Sequence, residues 1–195
     1  MSCWGWVFGA VTFVLAPPAV HAGEWNGTDY AALFADKAQL VEKITSPDGS
    51  VAEILRLKGD IFVQRTADGK VTGIDRGTNG AVGCFLIAMR DVTRISDQCP
   101  KVLSEEEKRR LESLTRQSLL FFAQNAYPPA DYESASRWFA NEIAARGKLP
   151  AEACEIAGRD SIESQFIHQL VSAEAEVSLA KMLEVPRLPV NNPCL

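Results

Sequence analysis

Four cysteines, one histidine and a scatter of acids are the residues whose types could do chemistry once the apolar opening of this chain is set aside. Cys84, Cys99, Cys154 and Cys194 are spaced 15, 55 and 40 residues apart. Zinc sites are built from C-x₂₋₄-C pairs, so this spacing does not suit a metal centre. No C-x-x-C redox pair or C-x-x-C-H haem attachment occurs. An even number of cysteines in a chain bound for an oxidising compartment reads as two disulfides. Three pairings are possible. Joining nearest neighbours gives Cys84–Cys99 and Cys154–Cys194, which the loop-entropy model values at about 3 and about 4 kcal/mol. A disulfide would also remove the free thiolate that a cysteine nucleophile needs.

His168 is the single histidine beyond the opening segment, beside Phe166, Ile167 and Leu170. One imidazole cannot make a histidine-rich metal site. A serine hydrolase would have to use His168, yet no G-x-S-x-G elbow supplies the nucleophile. The glycine-rich stretch 69–83 contains neither G-x-G-x-x-G nor a P-loop, and no EF-hand calcium loop is present. No cofactor is implied. Asn26-Gly27-Thr28 matches a glycosylation sequon, and Thr28 serves equally as a helix cap.

Two enzyme carboxylates need only meet in space, so paired-acid catalysis is the alternative that motif searching leaves open. Glu53, Asp60, Asp75, Asp91 and Asp97 lie in or beside the region read as strands, and nothing selects two of them. The remaining chemistry is recognition. Leu119-Leu120-Phe121-Phe122 is an apolar run on a helix, where successive residues are about 100° apart and so surround the axis. Either the helix is covered on several sides or it leaves an apolar groove. In the groove reading, the candidate partner-binding residues are Phe121, Phe122, Tyr127, Tyr132 and Trp138, gathered around Pro128-Pro129.

The elements that would hold these residues begin with a leader. Trp4 to Leu15 is a 12-residue apolar run followed by Pro17-Pro18 and Val20-His21-Ala22. A membrane span takes roughly 20 helical residues, and the prolines break a helix. The expectation is a signal peptide over 1–22, cut after Ala22 at an A-x-A-like triplet. The remainder, 23–195, is expected to form a single disulfide-stabilised domain of 173 residues carrying the whole formal charge of −5. That mild acidity leaves no footprint for nucleic acid or an anionic membrane surface. No stable membrane insertion is expected after cleavage.

Within the domain, Thr28 or Asp29 caps a helix to about Ile44, ended by Pro47-Asp48-Gly49. Residues 60–66 and 71–75 flank Asp68-Gly69 as a hairpin. A two-residue loop there sets Val63 opposite Ile74, Phe62 opposite Asp75 and Ile61 opposite Arg76. Residues 84–89 are continuously apolar, and periodicity alone does not separate strand from buried helix; the nearby turn favours a third strand. Ser104-Glu105-Glu106-Glu107 is a capping box opening a helix to about Asn125, with Glu105–Arg109 and Glu106–Arg110 as i,i+4 pairs. Asp131 caps another helix, stopped at Gly147. A short turn at 151–157 carries Cys154. The last helix spans 160–183 with Ile162, Phe166, Leu170, Val177 and Ala180 on its core face.

The sequence therefore predicts an α+β, predominantly helical fold of about four helices and a small antiparallel sheet of two or three strands. Its best functional class is an exported, periplasmic or secreted, non-enzymatic binding or inhibitor-type protein, such as an immunity protein, enzyme inhibitor or assembly accessory. The expected partner is another envelope or extracellular protein. A small exported hydrolase using paired carboxylates is the alternative.

Overall fold

A computed structural model describes residues 25–45, 47 and 49–192 of the chain. The expected signal peptide, its expected cleavage site after Ala22, Asp48 of the expected turn and Cys194 lie outside the described residues. The architecture is α+β and predominantly helical, with seven helices and a four-stranded antiparallel sheet among the described residues. This exceeds the expected four helices and two or three strands, and the differences have local causes.

Helix α1 (Tyr30–Asp36) starts where Asp29 accepts a hydrogen bond from the Ala32 amide, so Asp29 and not Thr28 is its cap. It ends well before Ile44. After a 3₁₀ turn at Ala38–Leu40, Val41–Thr45 forms strand β1, which pairs with β2 (Val51–Leu57). Neither strand is expected from the sequence. Strands β3 (Ile61–Arg65) and β4 (Val71–Asp75) complete a meander in the order β1-β2-β3-β4.

The β3–β4 hairpin has the expected strands but a register one residue away. Ile61 faces Asp75, Phe62 faces Ile74 and Val63 faces Gly73. Three residues form the loop. The Gly69 amide donates to the Thr66 carbonyl and the Thr66 amide to the Lys70 carbonyl, with Gly69 at φ +82°. That is a type I turn closed by a left-handed residue. Asp68 fixes it by accepting from the Thr66 hydroxyl and the Lys70 amide.

Residues 84–89 belong to helix α2 (Val82–Gln98), correcting the strand reading. The apolar run is too long for a strand once Val92 and Ile95 are included, and length favours helix in such cases. Helix α3 (Glu105–Asn125) opens on the capping box as expected, with the Ser104 amide and hydroxyl both donating to the Glu107 carboxylate. Glu106 pairs with Arg110, but Glu105 is held by Lys108 at i,i+3. Asp131 caps α4 (Tyr132–Ala145) by accepting from the Ser134 amide. The expected last helix is divided. Short α5 (Ala153–Gly158) precedes α6 (Ile162–Leu170), and Ser172 starts α7 (Ala173–Leu183) by capping the Ala175 amide. The cap turns the second half about a new axis, so the assumed face does not persist. Ile162 and Phe166 are 83% and 55% exposed, while Ile167 and Leu179 are buried.

Two apolar cores result. Helices α2 to α7 share one, built on Leu86, Met89, Leu114, Phe122, Phe139 and Leu179. The inner face of the sheet carries the other, where Leu55, Ile61 and Val63 meet Leu33 and Phe34 of α1. A strap of residues 185–192 joins them. Its Leu188 and Val190 enter the sheet core, and Gly73 allows this because a Cβ there would collide with Val190. Asp75 donates its amide to the Asn192 carbonyl at 2.7 Å. Buried Arg187 is anchored by Nε to Asp75 at 2.6 Å and by further bonds to the carbonyls of Gly80, Met182 and Val185.

The disulfide pairing also differs from the nearest-neighbour expectation. Cys99 bonds Cys154, with Cα atoms 5.3 Å apart, tying the end of α2 to α5 across 55 residues. Cys84 is itself disulfide-bonded, so the Cys84–Cys99 pairing is excluded. Nearness in sequence failed because α2 is a rigid rod that separates its own two ends.

Candidate functional site

A cleft of about 210 Å³ lies where α2 and α4 meet residues 26–30 and the strap. Three packing devices shape it. Gly27, at φ +87°, turns the chain beneath the Phe122 ring. Gly83, in the first turn of α2, admits the strap: a Cβ there would lie 2.6 Å from the Val190 carbonyl oxygen. Phe122 and Trp138 stack at 5.2 Å and 10°, and Trp25 meets both edge-on at 5.5 and 5.7 Å. Such aromatic contacts add about 0.5–1.5 kcal/mol each beyond area burial.

Asn26, Thr28, Tyr30, Arg90, Glu142 and Asn191 supply the polar side chains of the lining. Arg90 of α2 lines the cleft with a side chain only 10% exposed. Its Nε and Nη2 reach the two carboxylate oxygens of Asp91 at 3.1 and 3.4 Å. Its Nη1 lies 3.7 Å from Glu142 of α4, which is 44% exposed and also lines the cleft. Thr28 contributes a buried hydroxyl oxygen without a hydrogen-bond partner among the described residues. Burial pushes the Tyr30 hydroxyl above the ordinary tyrosine value, keeping it a neutral donor in this wall.

The five candidate recognition residues are divided by the fold. Phe122 and Trp138 come together as one wall of the cleft. Phe121 is buried with the Arg187 guanidinium 6.0 Å from its ring centre. Tyr127 packs on the sheet core and donates its hydroxyl to Asp36, and that hydrogen bond holds the hydroxyl's pKa above the ordinary tyrosine value. Tyr132 lies beneath the Arg116 guanidinium at 4.9 Å. The helix bearing Leu119 to Phe122 is thus covered on several sides, with only Phe122 reaching the cleft.

The acids of the hydrolase alternative do not converge. Glu53 pairs with Arg65, Asp75 with Arg187 and Asp91 with Arg90. Asp60 occupies a turn at φ +60°. His168 sits outside the cleft, with Nδ1 2.6 Å from Glu107 Oε1. The Ser104 hydroxyl donates to the same carboxylate and not to the imidazole, so serine, glutamate and histidine are in the wrong order to activate a nucleophile. No group of three or more metal-ligating side chains occurs among the described residues. None of their helices is long and apolar enough to cross a membrane.

Sequence reasoning missed Arg90 and Glu142. A signal was present for Arg90: it is the first charge after the apolar residues 81–89, on the same helical face as Leu86. No protein-family model, curated protein or solved structure matches the chain.

Proposed function

We propose that the chain is the precursor of an exported, non-enzymatic binding protein of inhibitor or accessory type, acting in the cell envelope or outside it. The binding site is the cleft between α2 and α4, and the group it receives is small and in part apolar. The observation that carries this reading is the stacked Phe122–Trp138 wall beside a nearly buried arginine. Its volume of about 210 Å³ is below the roughly 300–1,000 Å³ of drug-sized pockets. A single side chain of an envelope partner or one small molecule would fill it. The Cys99–Cys154 bond supports an oxidising compartment, and the apolar leader with its A-x-A-like triplet supports export.

The test uses protein recovered from its own envelope, whose intact mass should begin at Gly23. Partners or small-molecule fractions from that envelope are scored by thermal stabilisation. Ile87→Trp, a partly exposed cleft-lining position, fills the cavity from one side. It should abolish the stabilisation while the free protein stays folded. Stabilisation that Ile87→Trp leaves untouched would place the binding elsewhere. A retained leader that partitions into membranes would overturn export.

A further inference from the structure

The polar groups of the cleft select a kind of occupant, and this step rests on the reading of the cleft as a binding site. Arg90 and Glu142 carry opposite charges, line the same cavity and form a loose ion pair at 3.7 Å, beyond hydrogen-bonding distance, which a ligand bearing both charges can enter by pairing with each partner. Asp91 holds Arg90 from the other side through Nε and Nη2, which fixes the guanidinium plane and leaves Nη1 as the edge toward Glu142. A guanidinium only 10% exposed, and so oriented, is an anchor for a carboxylate. Glu142, at 44% exposure, has room to rotate and is an anchor for an ammonium group. The stacked Phe122 and Trp138 rings supply an apolar wall in the same cavity.

We infer that the cleft binds a free α-amino acid with an aromatic or large aliphatic side chain. Its carboxylate takes Arg90, its ammonium takes Glu142 and its side chain lies on the Phe122–Trp138 wall. A lone anion would leave Glu142 facing it, and a lone cation would face Arg90. A zwitterion meets both charges at once. Binding exchanges no covalent bond and needs no co-reactant.

Calorimetry on the disulfide-intact mature protein, with the fluorescence of Trp25 and Trp138 as a second readout, tests this with four probes. These are L-phenylalanine, N-acetyl-phenylalanine, phenylalanine amide and toluene. Phenylalanine should bind at least tenfold more tightly than the acetylated acid, which lacks the ammonium, and than the amide, which lacks the carboxylate. Glu142→Gln should weaken phenylalanine about tenfold and leave the acetylated acid unchanged. Arg90→Lys tests the other half, and if it fails to fold the Glu142→Gln comparison still decides. Equal affinity for phenylalanine and its acetylated form would overturn the inference. So would binding of toluene alone, though the cleft would then remain a binding site. Toluene binding lost in Ile87→Trp identifies that case. If none of the four probes binds, the inference falls. The cleft reading falls with it only if the envelope fractions also fail to stabilise the protein.

Discussion

Arg187→Met is the perturbation whose cost the structure lets one work out most directly. Arg187 and Asp75 are 4% and 2% exposed. Methionine replaces much of the arginine stem but removes the donor to Asp75 at 2.6 Å, to Met182 at 2.7 Å, to Gly80 at 2.9 Å and to Val185 at 3.1 Å. The Asp75 carboxylate keeps a hydrogen bond from the Gly77 amide and loses its counter-charge. Removing one partner of a buried pair in this way costs about 3–5 kcal/mol. Net domain stability is about 5–15 kcal/mol, so the variant should be folded but badly weakened. In urea, with m of about 1–3 kcal/mol/M, the midpoint should fall by roughly 2 M. Adding Asp75→Asn should recover part of the loss, because a neutral amide costs less to bury than an unpaired carboxylate; coupling of about 0.5–3 kcal/mol is expected in the double-mutant cycle. A loss below about 1 kcal/mol for Arg187→Met, or strict additivity of the two changes, would refute the claim that this pair holds the strap.

Peptide mapping without reductant should find Cys99–Cys154, and replacing both by serine should cost about 4 kcal/mol on the loop-entropy model. The same map should show Cys84 in a second disulfide. Burial pushes the Glu107 carboxyl up, but bonds from the Ser104 hydroxyl and amide and from His168 outweigh it, holding the group below the ordinary value. Its folded value therefore lies under the unfolded one of about 4.3, so its stabilisation is complete above that pH and is lost as pH falls through the lowered value. Glu107→Gln should flatten that acid limb in a stability–pH series. Ile162→Gln combined with Phe166→Gln should shift stability by less than about 0.5 kcal/mol, whereas Ile167→Ala should cost about 2–5 kcal/mol. The reverse order in chemical denaturation would show that the sequence-based face, and not the observed one, is buried.

Local chemistry is what the residues disclose by themselves. Ser104 with Glu107, Asp131 before α4 and Asp29 before α1 each act within four residues, so their consequences do not depend on the rest of the molecule. Elements defined by tertiary context are not legible in this way. Val41–Thr45 has enough helical spacing to extend α1 on paper, and only pairing with Val51–Leu57 makes it a strand. The hairpin register turns on whether the loop holds two residues or three, a choice made by the Thr66, Asp68 and Lys70 hydrogen bonds. Phe122 and Trp138 stand out as candidates in the sequence, but nothing local connects them to Arg90, 32 residues before Phe122, or to Glu142. Their meeting depends on how α2, α3 and α4 pack.

The cleft also sets an order of events for a newly made chain. Its floor comes from α2, α3 and α4, but its sides come from Asn26–Tyr30 and from Pro189–Asn191, more than 150 residues apart. No internal fragment contains the whole site, and a helical body already collapsed around Leu114 and Met89 would still lack two of its sides. Under the proposed binding function, competence requires the strap to seat Arg187 against Asp75 and to lay Val190 over Gly73. A ligand present at that moment favours the seated strap by mass action, gaining RT ln(1 + [L]/Kd). Under the proposed binding function, occupancy would report a chain in which residues 26–30 and the strap are both in place.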